Sequence, residues 1–248
     1  MMTTPSEWIH DDETLTDLGV SHWKVLQKKQ GFRFSLDAVL LAHFAMLKNN
    51  WRICDLGSGC GILPLLLSSR AENLFIDGVE LQAELADMAT RSLKLNGLTH
   101  IHIHEADLRH LSASWHDRYD LVISNPPYFP LGSGKQSPLA QIALARHELA
   151  CTLEDVLTCA HRLLRSGGRL AIVHRPGRLP ELLAGCTAHN LTPRRLRLVH
   201  PKAQSAANLV LLEAVKDAGG DLTIQAPLII YDTSGQYTPE VADYFGGN

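Results

Sequence analysis

The stretch Asp55-Leu56-Gly57-Ser58-Gly59-Cys60-Gly61 decides the fold. It follows the short apolar run 52–56 and opens a helical pattern over 61–69. Its three alternating glycines let the backbone turn tightly and come close to a ligand, where any side chain would collide. Outward from it, short apolar runs alternate with longer helical patterns. Strands are expected over 52–56, 74–80, 101–104, 119–124 and 169–174, with helices over 61–69, 81–95, 152–164 and 177–190. Such alternation predicts an α/β fold, a doubly wound, mostly parallel, Rossmann-like sheet. The runs 195–200 and 208–215, joined by 201–205, predict a closing antiparallel hairpin and bring the sheet to seven strands. Toward the N-terminus, the runs 23–26 and 32–34 flank a polar turn at 28–31 and predict a further hairpin. Ser35 is then the N-cap of a helix reaching Leu47, with Asp37 in its first turn. With 248 residues and no internal repeat, a single domain is expected: an extension over 1–48, a core over 49–215 and a tail over 216–248.

The composition, 45% hydrophobic and 20% charged with a net charge of -3, is that of an ordinary globular chain and excludes a strongly basic nucleic-acid coat protein. Charge is nevertheless segregated. Residues 1–17 carry five acids and no Lys or Arg, whereas Lys24, Lys28, Lys29 and Arg33 follow with no acid between them. The five cysteines form no C-x-x-C pair, so reduced thiols are expected rather than a zinc or disulfide framework. His100, His102 and His104 share one strand face at ligand-like spacing, but an edge strand with a wet face accounts for them, and no metal is expected. A polar N-terminus and the lack of an apolar run of roughly 18 residues predict a cytoplasmic protein off the membrane.

Three acids sharpen the glycine turn. Asp55 ends its strand, Glu80 ends the next, and Asp107 follows the third, all at the carboxyl edge where doubly wound sheets bind ligands. No Lys-Ser/Thr follows the glycines, which excludes a phosphate-cradling loop, and two nearby carboxylates would repel a pyrophosphate. A ligand with a cationic centre, an amino-acid part and a ribose fits instead: S-adenosyl-L-methionine. Glu80 can accept from both ribose hydroxyls.

Asn125-Pro126-Pro127-Tyr128 follows the fourth strand at the same edge. The prolines fix the backbone and leave carbonyls facing a ligand. The Asn125 oxygen and the Pro126 carbonyl can both accept from one planar NH₂ group while Tyr128 stacks on the ring that bears it. Two acceptors favour a tetrahedral nitrogen whose lone pair can attack a sulfonium methyl.

Together the glycine turn and the N-P-P-Y motif resemble those of class I S-adenosylmethionine-dependent amino-methyltransferases. The flanks 31–42, 197–202, 207–211 and 228–232 are similar to the bacterial tRNA1(Val) (adenine-37-N6)-methyltransferases, a likeness that covers nearly the whole chain. This resemblance implies N6-methylation of adenosine in a tRNA anticodon loop, with Asn125, Pro126, Pro127 and Tyr128 at the reacting amine. It implies a cofactor pocket bordered by Phe34, Ser35 and Asp37, with Gly57, Gly59, Gly61, Asp55, Glu80 and Leu81 around the turn and Asp107 and Leu108 at the adenine. The alternatives are a protein glutamine N5-methyltransferase, disfavoured by the lack of a helical N-terminal domain, and an inactive RNA-binding module. Lys28, Lys29, Arg33, Lys135, Arg194, Arg195, Arg197 and Lys202 are the candidate RNA contacts, expected to flank the site as a phosphate track. The acidic leader has no counterpart in the resemblance, and oligomeric state is not legible.

Overall fold

The computed structural model describes residues 8–20, 22–30, 35–126 and 151–246. A hairpin of β1 (Glu13–Asp17) and β2 (Lys24–Lys28) precedes α1 (Leu36–Phe44). The alternating core then runs β3 (Arg52–Leu56), α2 (Ile62–Ser68), β4 (Phe75–Glu80), α3 (Ala83–Leu95), β5 (His102–Glu105) and β6 (Tyr119–Ser124). After it come α4 (Leu153–Leu163), β7 (Leu164–His174), α5 (Leu179–Ala188), β8 (Leu191–His200) and β9 (Leu209–Lys216). The tail holds β10 (Thr223–Ile224), β11 (Leu228–Ile229) and α6 (Pro239–Asp243).

The expected seven strands lie in the order β8-β9-β7-β6-β3-β4-β5, with β9 antiparallel to both neighbours and the rest parallel. The tail adds two short strands, β10 and β11, which pair parallel with β8 and bring the sheet to nine. Two apolar layers cover it. Residues of α1, α2 and α3 pack on one face, and residues of α4 and α5 on the other. The central β3 is buried on both sides, which is why it reads as an unbroken apolar run.

Several boundaries move for local reasons. Gly167-Gly168, expected to stop a helix, lies inside β7, beside a register shift against β6. A Cβ on Gly168 would come within 2.9 Å of the Tyr119 carbonyl oxygen, so the glycine permits a close backbone approach. β8 starts earlier than expected because Pro193 is accommodated at its own register shift against β9. α1 ends at Phe44 rather than Leu47: Arg70 donates to the carbonyls of Ala42 and Ala45, and buried Glu213 accepts the Met46 N–H at 3.1 Å. Ser35 holds the N-cap position with extended backbone, but its hydroxyl caps nothing. Thr152 and Asp155 form a reciprocal capping box that starts α4.

The N-terminal hairpin differs from expectation in its partner. β2 pairs with the acidic leader, whereas the expected partner over 32–34, with Gly31, lies outside the described residues. The register sets Glu13 opposite Lys28 and Asp17 opposite Lys24, but the ion pairs are offset from it: Lys28 meets Asp12 and Glu84, and Glu13 meets Arg91. α3 docks the hairpin by accepting the Leu26 N–H on Ser92 Oγ at 3.0 Å and the Lys24 N–H on Asn96 Oδ1 at 2.9 Å. Arg91 of α3 completes the joint, holding buried Glu13 at 2.6 and 2.7 Å and Asp87 at 2.8 Å. Its guanidinium keeps the Glu13 carboxyl below the usual range against the opposing effect of burial.

Removing one partner of a buried ion pair leaves the other uncompensated. Arg91→Ala is therefore expected to cost about 3 kcal/mol in urea unfolding. Pairing it with Glu13→Leu should recover most of that loss, and equal losses in the single and double variants would contradict the role given to this pair.

Candidate active site

The parallel strands end side by side. Leu56 of β3 is level with Val79 of β4 and Ser124 of β6, and Glu80 is level with Glu105 of β5. Ser124, fully buried, donates its hydroxyl to the Leu56 carbonyl at 2.8 Å. That bond ties the end of β6 to the end of β3, so Asn125 leaves the sheet next to the glycine turn.

The turn itself needs its glycines. Gly57, Gly59 and Gly61 have φ of +77, +54 and +82°, the left-handed region that side chains resist. The N–H groups of Gly57 and Ser58 both donate to the Val79 carbonyl, at 2.9 and 3.1 Å, which folds the turn over β4. A Cβ on Gly61 would sit 3.0 Å from Ala89 Cβ of α3, whereas one on Gly57 would meet nothing within 4 Å. The first is a packing demand; the second leaves an open cradle beside the turn.

Two buried carboxylates stand at this turn, Asp55 just before it in β3 and Glu80 at the end of β4. Glu80, 4% exposed, accepts the Gly59 N–H at 2.8 Å on one oxygen and the Gln82 N–H at 2.9 Å on the other. Each oxygen keeps a second lone pair, so a vicinal diol can still be received. Asp55 is fully buried, and neither carboxylate oxygen has a hydrogen-bond partner among the described residues, the Ser58 hydroxyl donating instead to the Asp55 backbone carbonyl at 3.2 Å. Burial, partly offset by the nearby Ser58 hydroxyl and reinforced by the Glu80 charge, pushes its pKa up to about 7. An unpartnered buried acid is costly unless something meets it. A cationic group in the cradle would do so. The residues present thus fit S-adenosylmethionine: Glu80 for the ribose, Asp55 for the positive charge, and the apolar Leu81, exposed beside Glu80, for the adenine.

The remaining cofactor candidates are mixed. Asp107 caps the short helical turn Leu108–His110 through the Arg109 N–H, and the Arg109 guanidinium, 2.5 Å away, holds its carboxyl below the usual range. Any adenine amine would share Asp107 with Arg109. Leu108 is buried at the base of this turn. The C-terminal end of α1 is tied to the body of the sheet, Phe44 O accepting from Arg195 at 2.7 Å, and the chain continues to the start of β3. The opposite end of α1, with Ser35 and Asp37, therefore points toward the carboxyl edge. Pro126 is described and half-buried like Asn125, whereas Pro127, Tyr128, Phe34, Arg33 and Lys135 lie outside the described residues.

The expected phosphate track is largely committed to internal partners. Lys28 bridges Asp12 and Glu84 at 2.7 and 2.8 Å, and Lys29 reaches the Asp11 carbonyl. Arg194 donates to the Gly219 carbonyl, Arg195 stacks on Phe44 and pairs with Glu213, and Arg197 grips Glu240 with both terminal nitrogens. All three arginines sit in the body of β8, with Arg195 level with Glu213 rather than at the strand's carboxyl end. Of this run, Lys202 alone stands in the turn beyond β8. His104, one of the three alternating histidines, pairs with Asp77 at 2.9 Å and meets the edge of Trp115. Sequence reading missed Ser124 and the Gln82 N–H; a serine at a strand end and a backbone donor leave no distinctive mark.

A doubly wound sheet with a glycine cradle, a diol acceptor and a charge-seeking buried acid at its carboxyl edge defines a class I S-adenosylmethionine-dependent methyltransferase. Residues 36–184 match the family described as "Methyltransferase small domain". The chain belongs to that family and, within it, to the tRNA1(Val) (adenine(37)-N6)-methyltransferases. The protein of that name from Tolumonas auensis is 33% identical over 224 residues, covering 88% of this chain and 92% of its own. The one from Dickeya chrysanthemi is 33% identical over 223 residues, with 86% of each chain covered. Among solved structures, a predicted O-methyltransferase from Agrobacterium tumefaciens superposes with a TM-score of 0.69 at 29% identity, over 85% of this chain and 96% of that one. A geranyl diphosphate C-methyltransferase from Streptomyces coelicolor, bound to S-adenosyl-L-homocysteine, shares the fold with a TM-score of 0.54 at 15% identity, over 72% of this chain and 78% of that one.

The raised Asp55 pKa gives cofactor binding a sign. In the free protein the acid holds its proton up to about pH 7, so a bound cation must displace it below that pH. S-adenosylmethionine affinity is therefore expected to rise by up to about tenfold per pH unit toward pH 7 and then level off. Calorimetry in buffers of different ionisation enthalpy should detect the released proton at pH 6. Asp55→Asn should abolish both the release and the pH dependence, and an unchanged profile in that variant would refute the assignment.

Proposed function

We propose that this protein methylates the exocyclic N6 amine of an adenosine in tRNA, at position 37 in the anticodon loop of tRNA1(Val). The observation that carries the proposal is Asn125, brought by the Ser124–Leu56 bond to the edge of the glycine cradle, in a chain whose relatives bear that activity in their names. S-adenosylmethionine, when bound, supplies an electrophilic methyl group on a sulfonium.

The chain's own work is to position and activate the amine. An adenine amine is a weak nucleophile because its lone pair is delocalised into the ring. The Asn125 side-chain oxygen and the Pro126 carbonyl each accept one amine hydrogen, drawing the nitrogen toward tetrahedral geometry and freeing the lone pair for in-line attack. Tyr128, three residues after Asn125, would supply an aromatic face for the base. No side chain has to remove a proton before attack, since the acceptors strengthen as the nitrogen gains positive charge. An adenine must leave its stack to reach Asn125, and a loop permits that at lower cost than a duplex. The same reading puts the protein in the cytoplasm, where its substrate is.

Nucleoside mass spectrometry of total tRNA from cells with and without this protein tests the reading: N6-methyladenosine should fall in its absence, and an unchanged level would reject it. Asn125→Ala should lower the rate of methyl transfer by about 10²-fold or more while S-adenosylmethionine affinity stays within a few-fold. Matching losses in rate and in cofactor affinity would make Asn125 a part of the pocket wall instead.

A further inference from the structure

The carboxyl edge is electrically divided. Its cofactor half, the ends of β3, β4 and β5, carries Asp55, Glu80, Glu105 and Asp107. Its other half holds the ends of β7, β9 and β8; between residues 164 and 212 Glu181 is the one acid, and the tail adds Asp232, just after Tyr231 donates its N–H to the Pro201 carbonyl at 2.9 Å. Glu181 is itself held by Arg178, whose Nε lies 2.7 Å from it. Asp232 is likewise engaged, accepting the N–H groups of Ser234 and Gln236 at 2.8 and 3.1 Å. The other polar groups at this half are His174 and Arg175 at the end of β7, Asn208 before β9, and Lys202 in the turn beyond β8.

These groups are held in place. Arg175 continues the extended backbone of β7, and its guanidinium donates to the Asn208 carbonyl at 3.1 Å across the neighbouring strand. Asn208 in turn donates its N–H to the Val199 carbonyl at 2.9 Å, and its side-chain oxygen is buried without a partner among the described residues. The turn carrying Lys202 is closed by Ser205 N–H to Lys202 O at 2.9 Å and by His200 Nδ1 with Ser205 O at 2.7 Å. Lys202 is exposed and has no ion-pair partner among the described residues. Ser124 is level with Ile172, so Asn125 is level with Val173, two residues short of Arg175 on the adjacent strand. Ordinary strand spacing and rise put the Cα atoms of Asn125 and Arg175 about 8 Å apart, and Lys202 about two strand spacings, or 10 Å, farther along.

We infer that Arg175 and Lys202 bind the RNA backbone on one side of the extruded adenosine, Arg175 at the nearer phosphate and Lys202 farther along the strand. This assignment rests on the tRNA reading above and replaces the arginines of β8, which sit in the body of the strand rather than at its carboxyl end. A polyanion is turned away from the acidic half and received by the basic half, while the cationic cofactor is sorted the opposite way. Arg175 offers planar donors suited to a phosphate, and Lys202 a point charge.

The test measures tRNA methylation and tRNA binding over a range of salt for Arg175→Gln, Lys202→Gln, the double variant and Lys94→Gln, an exposed lysine on α3 serving as control. Each lost phosphate contact should flatten the slope of log affinity against log salt by about 0.7, hence about 1.4 in the double variant. KM for tRNA should rise several-fold in each single variant, S-adenosylmethionine affinity should hold, and Lys94→Gln should match the unaltered protein. Arg175→Lys should restore the slope, since charge is retained. If the unaltered protein methylates tRNA but the double variant keeps its KM and slope, the inference fails and the tRNA reading stands. If the unaltered protein methylates no tRNA, the tRNA reading fails first. Loss of cofactor affinity in Arg175→Gln would mark a folding defect, and Lys202→Gln, at an exposed turn, then decides the matter.

Discussion

Glu80 does two things at the end of β4. Its oxygens take the N–H groups of Gly59 and Gln82, pinning the glycine turn on one side and the start of α3 on the other. Both oxygens still have a lone pair to offer. The geometry of the cradle depends on this double grip, because the three left-handed glycines would otherwise be free to adopt many conformations. Asp55 lies in β3 just before the turn, and neither of its carboxylate oxygens has a partner among the described residues. A buried, unpartnered carboxyl beside a glycine turn is a structural mark of a site suited to a cation.

The second organising feature is how charge is distributed. A net charge of -3 conceals an edge with an acidic half and a basic half. The hairpin spends its own acids and bases on one another and on Arg91, which docks it against α3. The arginines of β8 serve the interior of the fold, bracing α1, α6 and the tail through Phe44 O, Glu240 and the Gly219 carbonyl. Runs of like charge along the chain therefore say little about where a polyanion binds; position at the carboxyl edge says more.

Much of the fold was legible because parallel strands buried on both faces read as continuous apolar runs. The bounds of β3 and β6 are those read from the sequence, and the order of elements follows from alternation alone. The hairpin partner was not legible: Glu13-Thr14-Leu15-Thr16-Asp17 has few apolar residues, and its pairing rests on cross-strand charge and on side chains of α3 distant in sequence. Gly167-Gly168 misled because a glycine pair signals a helix stop as readily as a close strand contact. At the site, Asp55, Glu80 and the glycines were visible through spacing. The commitment of Arg195 to Phe44 and Glu213 was invisible, since all three come from separate elements. Ser124, which sets Asn125 beside the turn, carries no signal beyond its place at a strand end.

Hydrogen–deuterium exchange with each ligand in turn tests the division of the carboxyl edge most directly. S-adenosylmethionine should protect the amides of 57–61 and 80–82, and tRNA should protect those of 173–178 and 200–208. Protection by tRNA confined to the hairpin at 24–30 or to the middle of β8 at 194–197, with 173–178 and 200–208 unchanged, would contradict the account.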